Sequence, residues 1–142
     1  IKAQLGEAVP FAKHTGVILT SVAAGEASAE LAQTAASINH IGTQHAGALF
    51  TLGEAASGGA MAGAFADQIL LIRPVASEAT IAYKKIAKGA ITAHAKIAGS
   101  VEAVRADLAA KGRVSFDVDI ALINEEKIDV AIMKVKWDVR KT

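Results

Sequence analysis

The sequence contains no cysteine among its 142 residues, which excludes disulfides and thiol chemistry and favours an intracellular, cytoplasmic protein. Aromatic residues are scarce at 4%, so the core must consist mainly of alanine, valine, isoleucine and leucine. The chain has 15 basic and 14 acidic residues, so its net charge is only +1. This balance gives no electrostatic case for a nucleic acid or a membrane surface as a partner.

What the chain does contain is a large apolar fraction. Hydrophobic residues make up 52% of it, which argues against disorder. The length suits one domain with a substantial core, and the sequence has no internal repeat, low-complexity tract or linker. We therefore expect residues 1–142 to form a single domain.

The segment from Ala46 to Ala66 consists mostly of alanine and glycine and carries one carboxylate, Glu54. Its length approaches that of a membrane span, but its glycines make it weakly hydrophobic, and Glu54 would cost a few kcal/mol in a bilayer. We interpret the segment as a helix buried in a soluble fold. Glycine is less favourable than alanine in a helix by about 1 kcal/mol, so these glycines predict close packing by a neighbouring sheet.

Most of the other segments have the composition or the alternation of strands. A phase shift of the apolar residues near Ile132 predicts a β-bulge, and Lys88-Gly89 predicts a hairpin between two strands. Short links between strands indicate a mostly antiparallel sheet. We predict short helices over residues 1–9 (ended by Pro10) and 101–111 (between Ser100 and Gly112), and strands over 15–23, 26–34, 75–86, 90–98, 113–123 and 128–140.

Residues 39–54 combine turn residues, a helix start and a carboxylate in a defined order. The pattern comprises Asn39, Gly42-Thr43, His45-Ala46-Gly47 and Leu52-Gly53-Glu54. It resembles the signature of hotdog acyl-CoA thioesterases of the phenylacetyl-CoA (PaaI-like) type, with Ala46 replacing a glycine and Gly53 replacing an alanine. The resemblance implies an α+β hotdog fold, in which a curved, mostly antiparallel sheet wraps around a long central helix. It also implies an acyl-CoA substrate, with coenzyme A as part of that substrate and no other cofactor.

Thioester hydrolysis needs groups that polarise the carbonyl and a base or nucleophile. The first turn of the long helix offers the N–H groups of Ala46 and Gly47, and Glu54 could activate a water or attack the carbonyl itself. The neighbours of Glu54 on its helix face make a mostly apolar environment, which should raise its pKa. These neighbours are Phe50, Ser57 and Met61.

Each of these residues also has a structural interpretation. Glu54 could be a carboxylate bonded to a neighbour. The resemblance implies that Asn39 orients the site, but Asn39 could instead be a turn residue. His45 could support the loop before the helix as well as touch the substrate. Ser57 and Gly58, with Met61 a turn further, could line an acyl pocket or permit close helix packing.

A group of lysines and a pair of histidines complete the candidates. Lys84, Lys85 and Lys88 could bind the phosphates of coenzyme A or form a solvated face. His40 and His45 lack a third ligand nearby, so we expect no metal site. The absence of a Gly-x-Ser-x-Gly motif and of a glycine-rich loop after a strand gives no support for a serine hydrolase or a nucleotide site.

The spacing of Gly47 and Glu54 bears on assembly. Seven residues separate them, which is about 10 Å along a helix, so one thioester carbonyl can hardly touch both on the same helix. Antiparallel helices in a homodimer would bring Gly47 of one subunit near Glu54 of the other, and hotdog relatives build sites at such an interface. We therefore expect a homodimer, or a dimer of dimers, that hydrolyses an acyl- or aryl-CoA. The alternatives are a hotdog protein that binds an acyl ligand without catalysis, and a dehydratase relative, which typically relies on a differently placed His and Asp.

Overall fold

A computed structural model describes residues 2–142, and in this range six strands form one sheet. All neighbouring strands are antiparallel, in the order β1-β2-β4-β5-β6-β3. The strands are β1 (Val17–Ala23), β2 (Glu26–Leu31), β3 (Ile72–Tyr83), β4 (Ile91–Ile97), β5 (Arg113–Ile123) and β6 (Asp129–Lys141). The α-helices are α1 (Lys2–Ala8), α2 (Pro10–Thr15), α3 (Ala46–Ala64) and α4 (Val101–Lys111), and a 3-10 segment, Ala66–Leu71, follows α3.

Helix α3 lies against one face of this sheet and contacts five of its strands, β1, β2, β4, β5 and β6. Its glycines lie where the sheet comes closest. A Cβ atom on Gly59 would stand 2.8 Å from the Cβ of Ala27, and one on Gly63 would stand 2.8 Å from the carbonyl carbon of Ala23. Side chains do not approach so closely, so the predicted close packing is confirmed. The sheet and its central helix are those of the hotdog fold, as predicted.

The strands that cover α3 obey the predicted alternation. On β4 and β5 the buried residues are Ile91, Ala93, Ala95, Ile97, Val114, Phe116, Val118, Ile120 and Leu122. Helix α4 also has its predicted bounds. The hydroxyl of Ser100 accepts a hydrogen bond from the Ala103 N–H at 3.2 Å, and Gly112 ends the helix in the left-handed conformation, with φ +74°. Val104 and Leu108 are its buried residues, as predicted.

The predicted hairpin at Lys88-Gly89 is wrong, because β3 and β4 are not neighbours in the sheet. β3 pairs with β6 at one edge, whereas β4 lies between β2 and β5. Gly89 does have a turn conformation, with φ +73°, and its N–H donates to Gln33 Oε1 at 2.8 Å. Gly89 therefore adopts a turn conformation, but it lies in a crossover connection between β3 and β4 rather than in a hairpin.

The predicted bulge in the last strand is displaced. Leu122 pairs with Ala131 and Ile123 pairs with Asp129, so the extra residue is Val130 rather than one near Ile132. The carbonyl of Val130 accepts hydrogen bonds from the backbone N–H groups of Lys84 and Lys85, at 2.8 and 3.1 Å. The bulge therefore connects β6 to the end of β3.

The N-terminal region and the strand ends differ from prediction by a few residues. Helix α1 ends at Ala8, and Pro10 begins α2 at the first helical position, where its missing N–H is not needed. Thr15 belongs to α2, and β2 ends at Leu31. Ile1 lies outside the described residues.

Candidate functional site

The loop before α3 is held together by Asn39. Its Oδ1 accepts hydrogen bonds from the N–H groups of Ile41 and Thr43 at 3.1 and 3.0 Å, and its Nδ2 donates to Thr43 Oγ1 at 3.0 Å. This is the way in which asparagine stabilises a turn. Asn39 therefore acts as a turn residue within its own chain, because its amide is used inside the loop.

Gln44 fixes the same loop against the sheet. Its side chain is buried, and its Nε2 donates to the carbonyls of Gly89 and Leu31 at 3.0 and 3.3 Å. Its backbone N–H donates to the Ala87 carbonyl at 2.8 Å. These bonds define where α3 begins relative to β2 and to the segment before β4.

His45 is the N-cap of α3, and its ring is bonded to the helix. Its Nδ1 accepts a hydrogen bond from the Gly47 N–H at 2.8 Å, so the proton of a neutral ring is on Nε2. Gly47 was expected to offer a free N–H, but that group is occupied. The Ala46 N–H, at the first helical position, has no hydrogen-bond acceptor among the described residues.

A shallow cleft of about 440 Å³ lies at this end of α3. It brings together four of the predicted site residues, namely Asn39, Ala46, Lys84 and Lys85, and Lys88 is not among its lining residues. Tyr83 also lines the cleft, and its hydroxyl donates to the Ala46 carbonyl at 2.9 Å. Partial burial raises the pKa of Tyr83, which keeps its hydroxyl protonated as a donor.

Glu54 lies elsewhere, in the middle of α3. Its half-buried side chain lines an apolar cavity of about 230 Å³. Burial raises the pKa of Glu54 above its ordinary value of 4.5, as predicted, and no hydrogen bond or charge counteracts this effect. Among the residues described, none forms an ion pair with it. No described residue therefore supports the structural interpretation, in which the Glu54 carboxylate is bonded to a neighbour.

The other helix residues predicted near Glu54 divide between the cavity and the core. Gly58 and Met61 line the cavity. Ser57 is fully buried, accepts a hydrogen bond from Trp137 Nε1 at 3.1 Å and donates to the Glu54 carbonyl at 2.7 Å. Both hydrogen-bonding roles of the Ser57 hydroxyl are thus filled by the protein.

The predicted site residues that line the cleft or the cavity consequently fall into two groups within one chain. The cleft at the start of α3 and the cavity beside Glu54 share no lining residue. Sequence reasoning missed Trp137 and the cavity residues of α1, α2 and β1. A signal existed for Trp137, the one tryptophan, because a buried indole N–H needs a partner. No signal pointed to Tyr83.

In the range 2–142, no group of three or more His, Cys, Asp or Glu side chains is arranged to hold a metal ion. Across the same residues, every helix is either too short or too polar to cross a membrane.

Several solved structures have the same fold. PA5026 of Pseudomonas aeruginosa, described as a protein of unknown function and a probable thioesterase, has a TM-score of 0.87 and 22% identity, over 99% of this chain and 93% of its own. A hypothetical thioesterase of Streptococcus pneumoniae, solved with coenzyme A, has a TM-score of 0.75 and 19% identity, over 100% and 98%. The PaaI protein of E. coli, from the phenylacetic acid degradation operon, has a TM-score of 0.72 and 24% identity, over 96% and 93%.

The likeness to these three structures confirms the hotdog fold. No curated protein matches the sequence. Residues 1–139 match the family described as a domain of unknown function, DUF4442, and the chain belongs to that family.

Proposed function

We propose that the protein is a thioesterase that hydrolyses an acyl- or aryl-CoA at a site shared by two copies of the chain. The observation that carries this proposal is Glu54, whose carboxylate has no ion-pair partner among residues 2–142 and lines an apolar cavity. Partial burial of an uncompensated carboxylate is unfavourable, so such groups are concentrated at functional sites.

The proposed chemistry follows from the position and basicity of this carboxylate. A raised pKa makes Glu54 a stronger base, which can take a proton from a water as the water attacks the thioester carbon. Alternatively, its oxygen attacks that carbon, coenzyme A leaves as the thiolate, and water then cleaves the resulting anhydride. Both routes consume one water and release a carboxylic acid and the thiol of coenzyme A.

The cleft at the start of α3 would hold the rest of the substrate. We assign the carbonyl oxygen to the Ala46 N–H, because this donor is unused and lies at the positive end of the helix dipole. Lys84 and Lys85 at the same cleft supply positive charge for the phosphates of coenzyme A. The streptococcal relative, which was solved with coenzyme A, supports this class of ligand.

Two copies are needed because the cleft and the Glu54 cavity are separate within one chain. β3 forms one edge of the sheet, and an exposed edge of 12 residues readily pairs with another strand. The segment leading into β3 exposes Leu70 and Leu71, which are 90% and 64% accessible. We propose that a second copy pairs along β3, so that the cleft of one copy meets the Glu54 of the other. A CoA ester as substrate is consistent with activity in the cytoplasm.

The test is hydrolysis of a panel of short, long and aromatic acyl-CoA esters by the wild type and by Glu54→Gln. We expect the variant to lose about 10²–10⁴-fold in kcat while it retains substrate binding. Glu30→Gln is the matched control, because Glu30 is an exposed glutamate on β2. Wild-type turnover in Glu54→Gln would contradict the proposal.

A second candidate function is acyl-CoA binding without hydrolysis. The hydrogen bond from the Gly47 N–H to His45 favours it, because this bond removes one of the two expected carbonyl donors. Binding without turnover in both wild type and Glu54→Gln would select this candidate.

A further inference from the structure

We propose that the cavity beside Glu54 binds the acyl group and selects an apolar one of about eight carbons, without polar substituents. This inference rests on the proposed thioesterase function and adds the substrate class.

The walls come from α3, β1, β3, β6 and the α1–α2 region. Small residues of α3, among them Ala55, Gly58 and Gly59, form one side, and Val17 and Leu19 of β1 form another. Leu5 and Val9, from α1 and the link to α2, cover it. Glu54 is the one ionisable side chain among the described residues that line it. A thioester carbonyl held at Glu54 would therefore direct its acyl group along an apolar surface.

The volume limits the length of that acyl group. The cavity measures about 230 Å³. At roughly 30 Å³ for each water-sized group, this is room for about eight non-hydrogen atoms. Helix α3 packs closely against the sheet at Gly59, where an added Cβ would lie 2.8 Å from Ala27 and 3.2 Å from Leu19. The position of this side of the cavity is therefore set by the packing of α3 on the sheet.

The hydrogen bonds around the cavity decide its polarity. Trp137 lines the cavity, and its Nε1 donates to Ser57, whose hydroxyl in turn donates to the Glu54 carbonyl. The Trp137 N–H and the Ser57 O–H are thus both donated within the protein, so apart from Glu54 the described side chains around the cavity offer a polar substituent no free N–H or O–H group. A hydroxyl on the acyl group would lose its bonds to water without gaining a partner, which is unfavourable.

Gly58 is the position that should control chain length. A Cβ atom there would lie 3.6 Å from Cζ2 of Trp137, an ordinary van der Waals contact. A methyl group at position 58 therefore fits beside Trp137, and a larger side chain there would occupy part of the cavity. At Gly59 the same change would bring atoms to 2.8 Å from Ala27, so Gly59 offers no such freedom.

The experiment measures kcat/KM for straight-chain CoA esters from acetyl to hexadecanoyl. For the wild type we expect a rise of about fourfold per methylene up to about octanoyl, and no rise beyond it. Gly58→Leu fills about four carbons of space, so its optimum should shift to about butanoyl, and Gly58→Ala should shift it by about one carbon. Ala110→Leu, an exposed position on α4, is the matched control and should keep the wild-type profile.

A second comparison tests polarity. We expect kcat/KM for 4-hydroxyphenylacetyl-CoA to be roughly tenfold or more below that for phenylacetyl-CoA. The acyl groups of these two substrates have the same number of carbons and differ only by the hydroxyl. Equal values would overturn the exclusion of polar acyl groups.

The experiments give different results if the cavity assignment fails and if the proposed function fails. Hydrolysis that depends on Glu54 but keeps one length profile in wild type, Gly58→Leu and Gly58→Ala would overturn the cavity assignment and leave the thioesterase intact. Absence of hydrolysis in every protein would reject the thioesterase. Calorimetry of octanoyl-CoA binding then tests the cavity assignment by itself. Loss of binding in Gly58→Leu supports this assignment, and unchanged binding overturns it.

Discussion

Glu54 links its burial to the pH dependence of stability. Its raised pKa means that the folded state binds this proton more tightly than the unfolded chain does. The free energy of unfolding should therefore fall as pH rises from about 4.5, the ordinary value, through the raised pKa of the folded state. The ionised carboxylate is thus kept at a cost in stability, as expected of a residue with a chemical role.

The glutamine variant should remove this cost. We predict that Glu54→Gln has a higher free energy of unfolding than the wild type at pH 8, and that the difference shrinks as pH falls towards 4.5. Urea unfolding at a series of pH values measures this difference. The exposed Glu30→Gln should show no such trend. A destabilised Glu54→Gln at pH 8 would instead mean that the carboxylate makes a stabilising interaction.

The Ala46 N–H can be removed without breaking α3. Ala46 is the first helical residue, where proline is tolerated, and His45 has the extended conformation (φ −68°, ψ 143°) that suits a residue before proline. We predict that Ala46→Pro lowers kcat by about 10²–10³-fold, as expected for loss of an oxyanion donor, and changes the free energy of unfolding by less than about 0.5 kcal/mol. Steady-state kinetics and urea unfolding measure the two effects.

Ala46→Ser is the control for this change, because serine keeps the N–H group. It should retain activity within a few-fold of the wild type. If Ala46→Pro is as active as Ala46→Ser, another group polarises the carbonyl, and the Gly47 N–H, released by His45, becomes the first one to test.

Helix α3 offers two glycines with opposite surroundings. Gly58 faces the cavity, whereas a Cβ on Gly63 would collide with the backbone of Ala23 on β1. Alanine has a higher helix propensity than glycine, so a loss of stability at position 63 would report packing rather than propensity. We predict that Gly58→Ala raises the free energy of unfolding by up to about 1 kcal/mol and that Gly63→Ala lowers it by about 1–3 kcal/mol. Equal effects in chemical unfolding would contradict the close contact between α3 and β1.

The proposed dimer predicts a specific result from mixed subunits. If Glu54 of one copy works with Ala46 of the other, a heterodimer of Glu54→Gln and Ala46→Pro has one doubly defective site and one intact site. Unfolding and refolding an equal mixture should then restore about a quarter of wild-type activity, because half of the dimers are mixed and each has one good site. A site within a single chain gives no recovery, and refolding each variant alone is the control.

Much of this fold follows from local physical chemistry and could be predicted. The alternation of Ile91, Ala93, Ala95 and Ile97 defines the buried face of β4, because successive side chains of a strand point to opposite sides. Ser100 and Gly112 bound α4, because their conformations and hydrogen bonds are local to the helix ends. One alanine- and glycine-rich segment predicted the length of α3, the burial of Glu54 and the closeness of the sheet.

Contacts between distant residues could not be predicted in the same way. The place of β3 beside β6, the bulge at Val130 and the bond between Trp137 and Ser57, 80 residues apart, each depend on how separate segments meet. The bond from the Gly47 N–H to His45 depends on a side-chain orientation within an N-cap. Composition and periodicity therefore identified the helix that carries Glu54, but the cavity beside it exists only because α1, β1 and β6 are brought against that helix by folding.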